Sequence, residues 1–156
     1  MKKKIGIIGG GVLGVSIAHF LSQYPEADVT VFEKNTIGSG TTAKSAGTHC
    51  LIDDSVAHEF WSVRLFGFNF YKSLEAEKPG SAGFEQTGTL VVAPYKEYEM
   101  YVLQAIDLAL ASGYQAEYLR DPEKIRKINP DLNLDGILGA GYCPDDGFFD
   151  ATMITN

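Results

Sequence analysis

The sequence predicts an α/β fold, and three observations carry that prediction. An apolar run from Lys4 to Ile8 leads into Gly9-Gly10-Gly11-Val12-Leu13-Gly14. A helical pattern follows over Val12 to Ser22, with Val12, Ser16 and Phe20 on one row and Leu13, Ile17 and Leu21 on the next. A second β-rich run, Asp28 to Glu33, then ends on a carboxylate. Strand, glycine-rich turn, helix and strand in this order open a doubly wound sheet, in which crossover helices cover parallel strands on both faces.

Each element has a local reason. The Lys4 to Ile8 strand reads as the fully buried, parallel kind. The turn after it is G-x-G-x-x-G, placed where that pattern has a mechanism. Gly9 permits the tight turn, Gly11 lets the backbone approach a pyrophosphate, and Gly14 lets helix and strand pack closely. The unpaired N–H groups of the first helical turn, at Val12 and Leu13, face the phosphates. Pro25 closes the helix. Glu33, with Lys34 beside it, ends the second strand, where a carboxylate accepts the ribose hydroxyls of an adenosine and repels a 2′-phosphate. Together these elements predict a Rossmann-like dinucleotide site and disfavour NADP.

Composition narrows the partners. The chain has 156 residues, 45% hydrophobic and 21% charged, enough for one core or two small ones. Its net charge of −7 repels phosphate backbones and anionic membrane surfaces, so nucleic acid is not an expected partner. Cys50 and Cys143 lie far apart with no CxxC, which fits reduced thiols and a cytoplasmic location rather than a disulfide framework or a zinc site. Lys2, Lys3 and Lys4 before an apolar stretch imitate a secretory signal, but the glycines from Gly6 to Gly14 make a poor helical core for one. No run of about 20 apolar residues predicts a transmembrane helix.

After Glu33 the chain enters a long loop of small and polar residues, Gly38-Ser39-Gly40-Thr41-Thr42-Ala43-Lys44-Ser45-Ala46-Gly47-Thr48-His49. With this loop in place, the sequence resembles the FAD-dependent amine and amino-acid oxidoreductases of the D-amino acid oxidase family, which takes in glycine oxidase, sarcosine oxidase and dimethylglycine dehydrogenase. The resemblance continues through Phe84 to Ala93, similar to a family strand, and Ile128-Asn129-Pro130-Asp131-Leu132, similar to a helix-ending P-x-L. It reaches Asp146-Gly147-Phe148-Phe149-Asp150-Ala151, similar to the segment that leads into the next helix. It implies FAD, with Thr41, Thr42, Lys44, Ser45, Ala46 and Gly47 along the flavin side. Amides, hydroxyls and small residues are what a flavin's ribityl chain and ring edge need. Where the dehydrogenase branch has Trp-His and a covalent flavin, this chain has Ala43-Lys44, so the expected FAD is non-covalent.

The other candidates have plainer explanations. Gly38 to Ser45 differs from a P-loop only at Ala43, where the backbone must curl as Ala resists. His49, Cys50, Asp53, Asp54, His58 and Glu59 lack a ligand spacing, so no metal is expected. His49 and Cys50 follow the flavin-like loop and are weighed as substrate-side groups against ordinary packing. His19 reads as structural or exposed. A helix from about Val56 to Ala76 carries two apolar stripes, Val56, Phe60, Val63, Phe66, Phe70 and Leu74, and Trp61, Leu65 and Phe68, and so needs cover on two sides. Arg64, the cation within that run, is weighed as a substrate-carboxylate partner against an ion pair. Glu97 to Ala111 reads as an amphipathic helix, Asp121-Pro122-Glu123 as a capped helix start, and Gly136 to Tyr142 and Gly147 to Asp150 as strands.

The expected organisation is an incomplete Rossmann-like FAD-binding segment over 1–80, part of a mixed β-sheet substrate domain over 81–150, and the start of a returning helix over 151–156. The resemblance implies oxidation of an amine or amino acid by hydride transfer to flavin N5, with catalytic residues unassigned. Two rivals stand beside it: an NAD-dependent dehydrogenase, and a non-catalytic or truncated nucleotide-binding subunit that needs a partner chain or a missing C-terminal portion. An exposed apolar surface on the isolated chain is expected in either incomplete case.

Overall fold

The computed structural model describes residues 1–52 and 58–155. The elements run β1 (Lys3–Ile8), α1 (Val12–Ser22), β2 (Ala27–Phe32), a 3-10 turn (Thr42–Lys44), β3 (Thr48–His49), a 3-10 turn (His58–Phe60) and α2 (Trp61–Glu77). Then come β4 (Thr89–Ala93), α3 (Lys96–Ala111), β5 (Glu117–Leu119), α4 (Pro122–Ile128), β6 (Gly139–Cys143), β7 (Gly147–Phe148) and a final 3-10 turn (Met153–Thr155). Val56, read above as the head of the aromatic helix, and Asp53 and Asp54, weighed above as metal ligands, lie outside the described residues. Two compact units are woven from this chain: Met1–Thr48, Ser73–Phe84 and Phe149–Asn156 form one, and His49–Lys72 with Glu85–Phe148 form the other.

The first unit opens as the pattern predicts. β1 and β2 pair in parallel, with Ile5 opposite Val29 and Ile7 opposite Val31, and α1 crosses between them. The strand does not meet the expectation of full burial. Ile8 is 94% exposed and Phe32 59%, Leu13 and Ile17 of α1 are also open, and no residue of α1 is buried. A parallel pair is normally covered on both faces, and no described element covers Lys4, Gly6 and Ile8 or Asp28, Thr30 and Phe32. The expected exposed apolar surface is therefore present.

In the second unit a sheet is covered on both faces. β4, β6 and β5 form an antiparallel sheet in that order, with Val91 opposite Gly141 and Tyr118 opposite Gly141 from the other side. Alternation sends Val91, Tyr118, Gly141 and Cys143 toward α3, whose Val102, Ala105, Ile106 and Ala109 are buried with Leu51, Ile52 and Phe68. Gly141 sets the distance of approach, because a Cβ there would stand 2.6 Å from Val102 Cγ1. The other sheet face carries Leu119 and Ala140, packed with Ile125 of α4 and with Leu132, Leu134 and Ile137. Asp121 caps α4 by accepting the Glu123 N–H at 3.0 Å, and Pro122 is its first residue, as read from the sequence.

Helix α2 corrects one expectation and keeps half of it. Its Trp61, Leu65 and Phe68 stripe packs into the core, Phe68 fully. Its Phe60, Val63 and Phe66 stripe is exposed, since no described element lies over it. The long strand read over Phe84 to Ala93 shortens to β4, with Glu85 making an isolated bridge to Phe148. Gly88 breaks it, held at φ +72° with its N–H donated to Asp146 O.

Candidate cofactor site

The glycine-rich turn, Glu33 and the 38–47 loop come together in the first unit. Gly14 lies so close to the Gly9 carbonyl that any Cβ would overlap it, which is the close helix–strand packing expected of the third glycine. Helix α1 starts on Gly11 with no side-chain cap and no acidic residue in its first turn. Among the described residues no backbone acceptor meets the N–H of Leu13 or Gly14, so the positive end of the helix is left for an external anion.

Glu33 stands where the sequence reading puts it and does something more. Its Oε2 accepts the Gly10 N–H at 2.8 Å and its Oε1 accepts the Asn35 N–H at 2.9 Å. The Gly10 bond first, then that from Asn35, hold its carboxyl below the usual range, with Lys34 adding a favourable charge. Each oxygen keeps a further lone pair for a ribose hydroxyl. The same carboxylate therefore shapes the phosphate turn and presents an acceptor beside it.

The loop is tied to this turn at two points. Gly38 donates its N–H to Gly10 O at 2.8 Å, and the Thr42 hydroxyl accepts the Val12 N–H at 3.0 Å. Thr42 thus reaches the head of α1, where a pyrophosphate would also bind. Residues Thr42–Lys44 form a 3-10 turn, with Ala43 N–H on Gly38 O and Lys44 N–H on Thr41 O. Ala43 has no positive φ, so the P-loop curl is absent here. Thr41, Lys44, Ser45 and Ala46 are exposed, and the Ser45 hydroxyl accepts the Gly47 N–H at 3.1 Å. Open amides, hydroxyls and small residues on one loop beside the N-terminus of α1 fit FAD, whose pyrophosphate needs the helix amides and whose ribityl chain and ring need the loop.

The residues after the loop belong to packing. His49 is 7% exposed in the second unit, its ring stacked on Phe68 at 4.1 Å and its Nε2–H directed to Phe68 O at 3.0 Å. Burial lowers its pKa to about 4, with the Phe68 carbonyl opposing and Lys72 assisting, so the ring is neutral near pH 7. Arg64 points Nη1 at the Cys50 and Leu51 carbonyls, 3.5 Å from each. Burial first, then Asp146, pushes the Cys143 thiol up to about 12.

Sequence reading missed two buried acids. Asp146 is fully buried and its Oδ1 accepts the Leu51 N–H at 2.8 Å, from 95 residues away. Glu99 is fully buried on α3, paired with Lys96 and with Arg120 Nη1 at 2.7 Å. The one signal in the sequence was Glu99 standing on the otherwise apolar side of the Tyr98, Val102 and Ala105 face.

Comparison with known proteins agrees with this geometry. The family model for FAD dependent oxidoreductases, named for D-amino acid oxidase, matches residues 4–156. The chain is 31% identical over 141 residues to 4-methylaminobutanoate oxidase (formaldehyde-forming) of Paenarthrobacter nicotinovorans, covering 90% of this chain and 17% of that protein. It is 31% identical over 153 residues to human mitochondrial dimethylglycine dehydrogenase, covering 96% and 17%. The crystal structure of L-proline dehydrogenase from P. horikoshii superposes with a TM-score of 0.80 at 29% identity, covering 99% of this chain and 40% of that one. The chain thus spans 17% of the length of these curated relatives. It belongs to the FAD dependent oxidoreductase family of D-amino acid oxidase.

Proposed function

We propose that this chain forms the dinucleotide end of an FAD enzyme that oxidises an amine or amino acid. The observation that carries the reading is the convergence, in one unit, of the glycine-rich N-terminus of α1, the Glu33 carboxylate on Gly10 and the Thr42 hydroxyl on Val12. Gly9, Gly11, Val12, Leu13 and Gly14 would hold the pyrophosphate, Glu33 and Lys34 the adenosine side, and Thr41, Thr42, Lys44, Ser45, Ala46 and Gly47 the flavin side. FAD, when bound, supplies the two-electron acceptor for the C–H beside the substrate nitrogen. The chain's own residues bind and orient it: helix amides neutralise phosphate charge, and the ionised Glu33 selects an unphosphorylated ribose.

The relatives named above act on N-methylated amines, dimethylglycine and proline by their names, which supports a small amine or amino acid here. The exposed β1–β2 face and the small share of its relatives that the chain spans support completion by further polypeptide, either a continuation or a partner subunit. Non-covalent flavin is part of the reading, because Ala43 and Lys44 replace the Trp-His that carries flavin elsewhere. So is a cytoplasmic location, read from the sparse, widely spaced cysteines of the sequence.

The test is flavin reduction by amines in the chain alone and in the chain joined to the rest of its polypeptide. Bleaching of bound flavin by an N-methyl amino acid or proline, with flavin released into solution by denaturant, supports the proposal. A flavin-loaded complete protein that no amine bleaches favours the non-catalytic reading, and retention of NAD in place of FAD overturns both.

A further inference from the structure

Residues 149–155 meet the 38–47 loop at both of its ends, within the same unit. At the far end, the Phe149 N–H donates to Gly47 O at 2.9 Å. Gly47 sits at φ +66°, and a Cβ there would overlap Phe149 O. At the near end, buried Gly38 sits at φ +74°, and a Cβ there would overlap Thr155 Oγ1. The loop's two left-handed glycines are thus the two places where the 149–155 segment presses against it. The Met153–Thr155 turn also packs on α1, the helix that opens on the phosphate turn.

The segment is built to keep its shape. Asp150 Oδ1 accepts the N–H groups of Thr152 at 2.8 Å and Met153 at 3.1 Å, and also takes the Thr152 hydroxyl. The Thr155 hydroxyl donates to Thr152 O at 2.8 Å, and Ile154 N–H donates to Asp150 O. The Asp150 N–H is anchored on Ala82 O at 3.1 Å, and Thr155 is buried. One carboxylate therefore organises a turn whose two ends bear on the loop.

We propose that residues 149–155 are a brace behind the cofactor loop, and that Asp150 is a positioning residue for flavin binding that acts through Gly38 and Gly47. The proposal rests on the reading of 38–47 as the flavin loop. It makes cofactor affinity depend on a segment more than 100 residues later in the chain, with no contact to the cofactor required.

Amide hydrogen exchange on the cofactor-free chain, followed by FAD titration, tests it with Asp150→Ala, Asp150→Asn, Thr155→Ala and the pair Gly38→Ala and Gly38→Ala/Thr155→Ala. Asp150→Ala is expected to speed exchange at the Gly38 and Ala43 amides at least about tenfold and to weaken FAD by a similar factor, while Trp61 fluorescence stays unchanged. Asp150→Asn, which keeps the accepting oxygen, is expected to match the parent in both. Thr155→Ala is expected to restore part of the protection lost in Gly38→Ala, the coupling that direct contact requires. Faster exchange confined to 150–155, with 38–47 at parent rates, overturns the brace. So does weaker FAD binding with no change in loop exchange. Where Asp150→Ala does not fold, additive effects of the Gly38 and Thr155 changes overturn it and coupled effects support it. Coupled exchange in a chain that ignores FAD leaves the brace standing and removes the cofactor reading instead.

Discussion

The two units reach order by different means. The second buries five residues of α3, Glu99, Val102, Ala105, Ile106 and Ala109, against a sheet whose Gly141 lets the helix close in. The first buries none of α1, and its organisation comes from specific hydrogen bonds: Glu33 to Gly10, Thr42 to Val12, Gly38 to Gly10, and the 149–155 segment against the loop. A unit held by a few polar contacts is sensitive to each of them and gains most from a ligand that bridges them, because a ligand binding only the native form adds its binding energy to stability.

Four changes can break or sharpen that contrast. The largest effect is expected from Gly14→Ala, where the new Cβ meets backbone that cannot swing aside. FAD affinity measured by flavin fluorescence should fall at least about 100-fold, or about 2.7 kcal/mol, with the near-ultraviolet signal of Trp61 in the second unit preserved.

The next concerns acid. His49 titrates near pH 4 folded against 6.5 as its ordinary value, so between these the unfolded chain binds more protons and stability falls as pH drops. The loss begins near pH 6.5, is complete below pH 4, and amounts to about 3 kcal/mol for this group. His49→Gln keeps an N–H for the Phe68 carbonyl and should flatten that part of the urea-denaturation profile of the second unit. An unchanged profile would show that the ring is not held neutral.

Gly141→Ala should cost the second unit about 1–3 kcal/mol by overpacking against Val102, read as a lower denaturation midpoint at unchanged FAD affinity. The smallest effect is expected from Thr42→Val, which removes one acceptor from the head of α1. It should cost the first unit about 1 kcal/mol, with FAD weakened by a similar amount, while Thr42→Ser restores both.

Much of the first unit was legible in the sequence because its information is local. Val12–Ser22 is the helix that the spacing predicts, and Glu33 follows β2 as the register requires. The G-x-G-x-x-G rule works at Gly14 because it expresses a steric contact only five residues apart. What stayed hidden is what depends on distant partners. Asp146 reads as a loop acid until the Leu51 amide arrives from 95 residues away. Gly47 reads as a small residue for a flavin and Gly38 as the start of the loop, while the structure shows them also accommodating Phe149 and Thr155. The burial expected of β1 failed for a related reason: parallel strands normally have cover on both faces, but the pattern does not say which residues provide it.

We propose that the first unit holds FAD through residues 9–14, 33–34 and 41–47. Titration of the 15N-labelled chain with FAD tests it most directly. Saturable shifts are expected at the amides of Gly11, Leu13 and Gly14 and along Thr41 to Gly47, with those of Val102 to Ala109 in the second unit unmoved. Shifts concentrated in the second unit, or a first unit that responds to NAD and not to FAD, would contradict it.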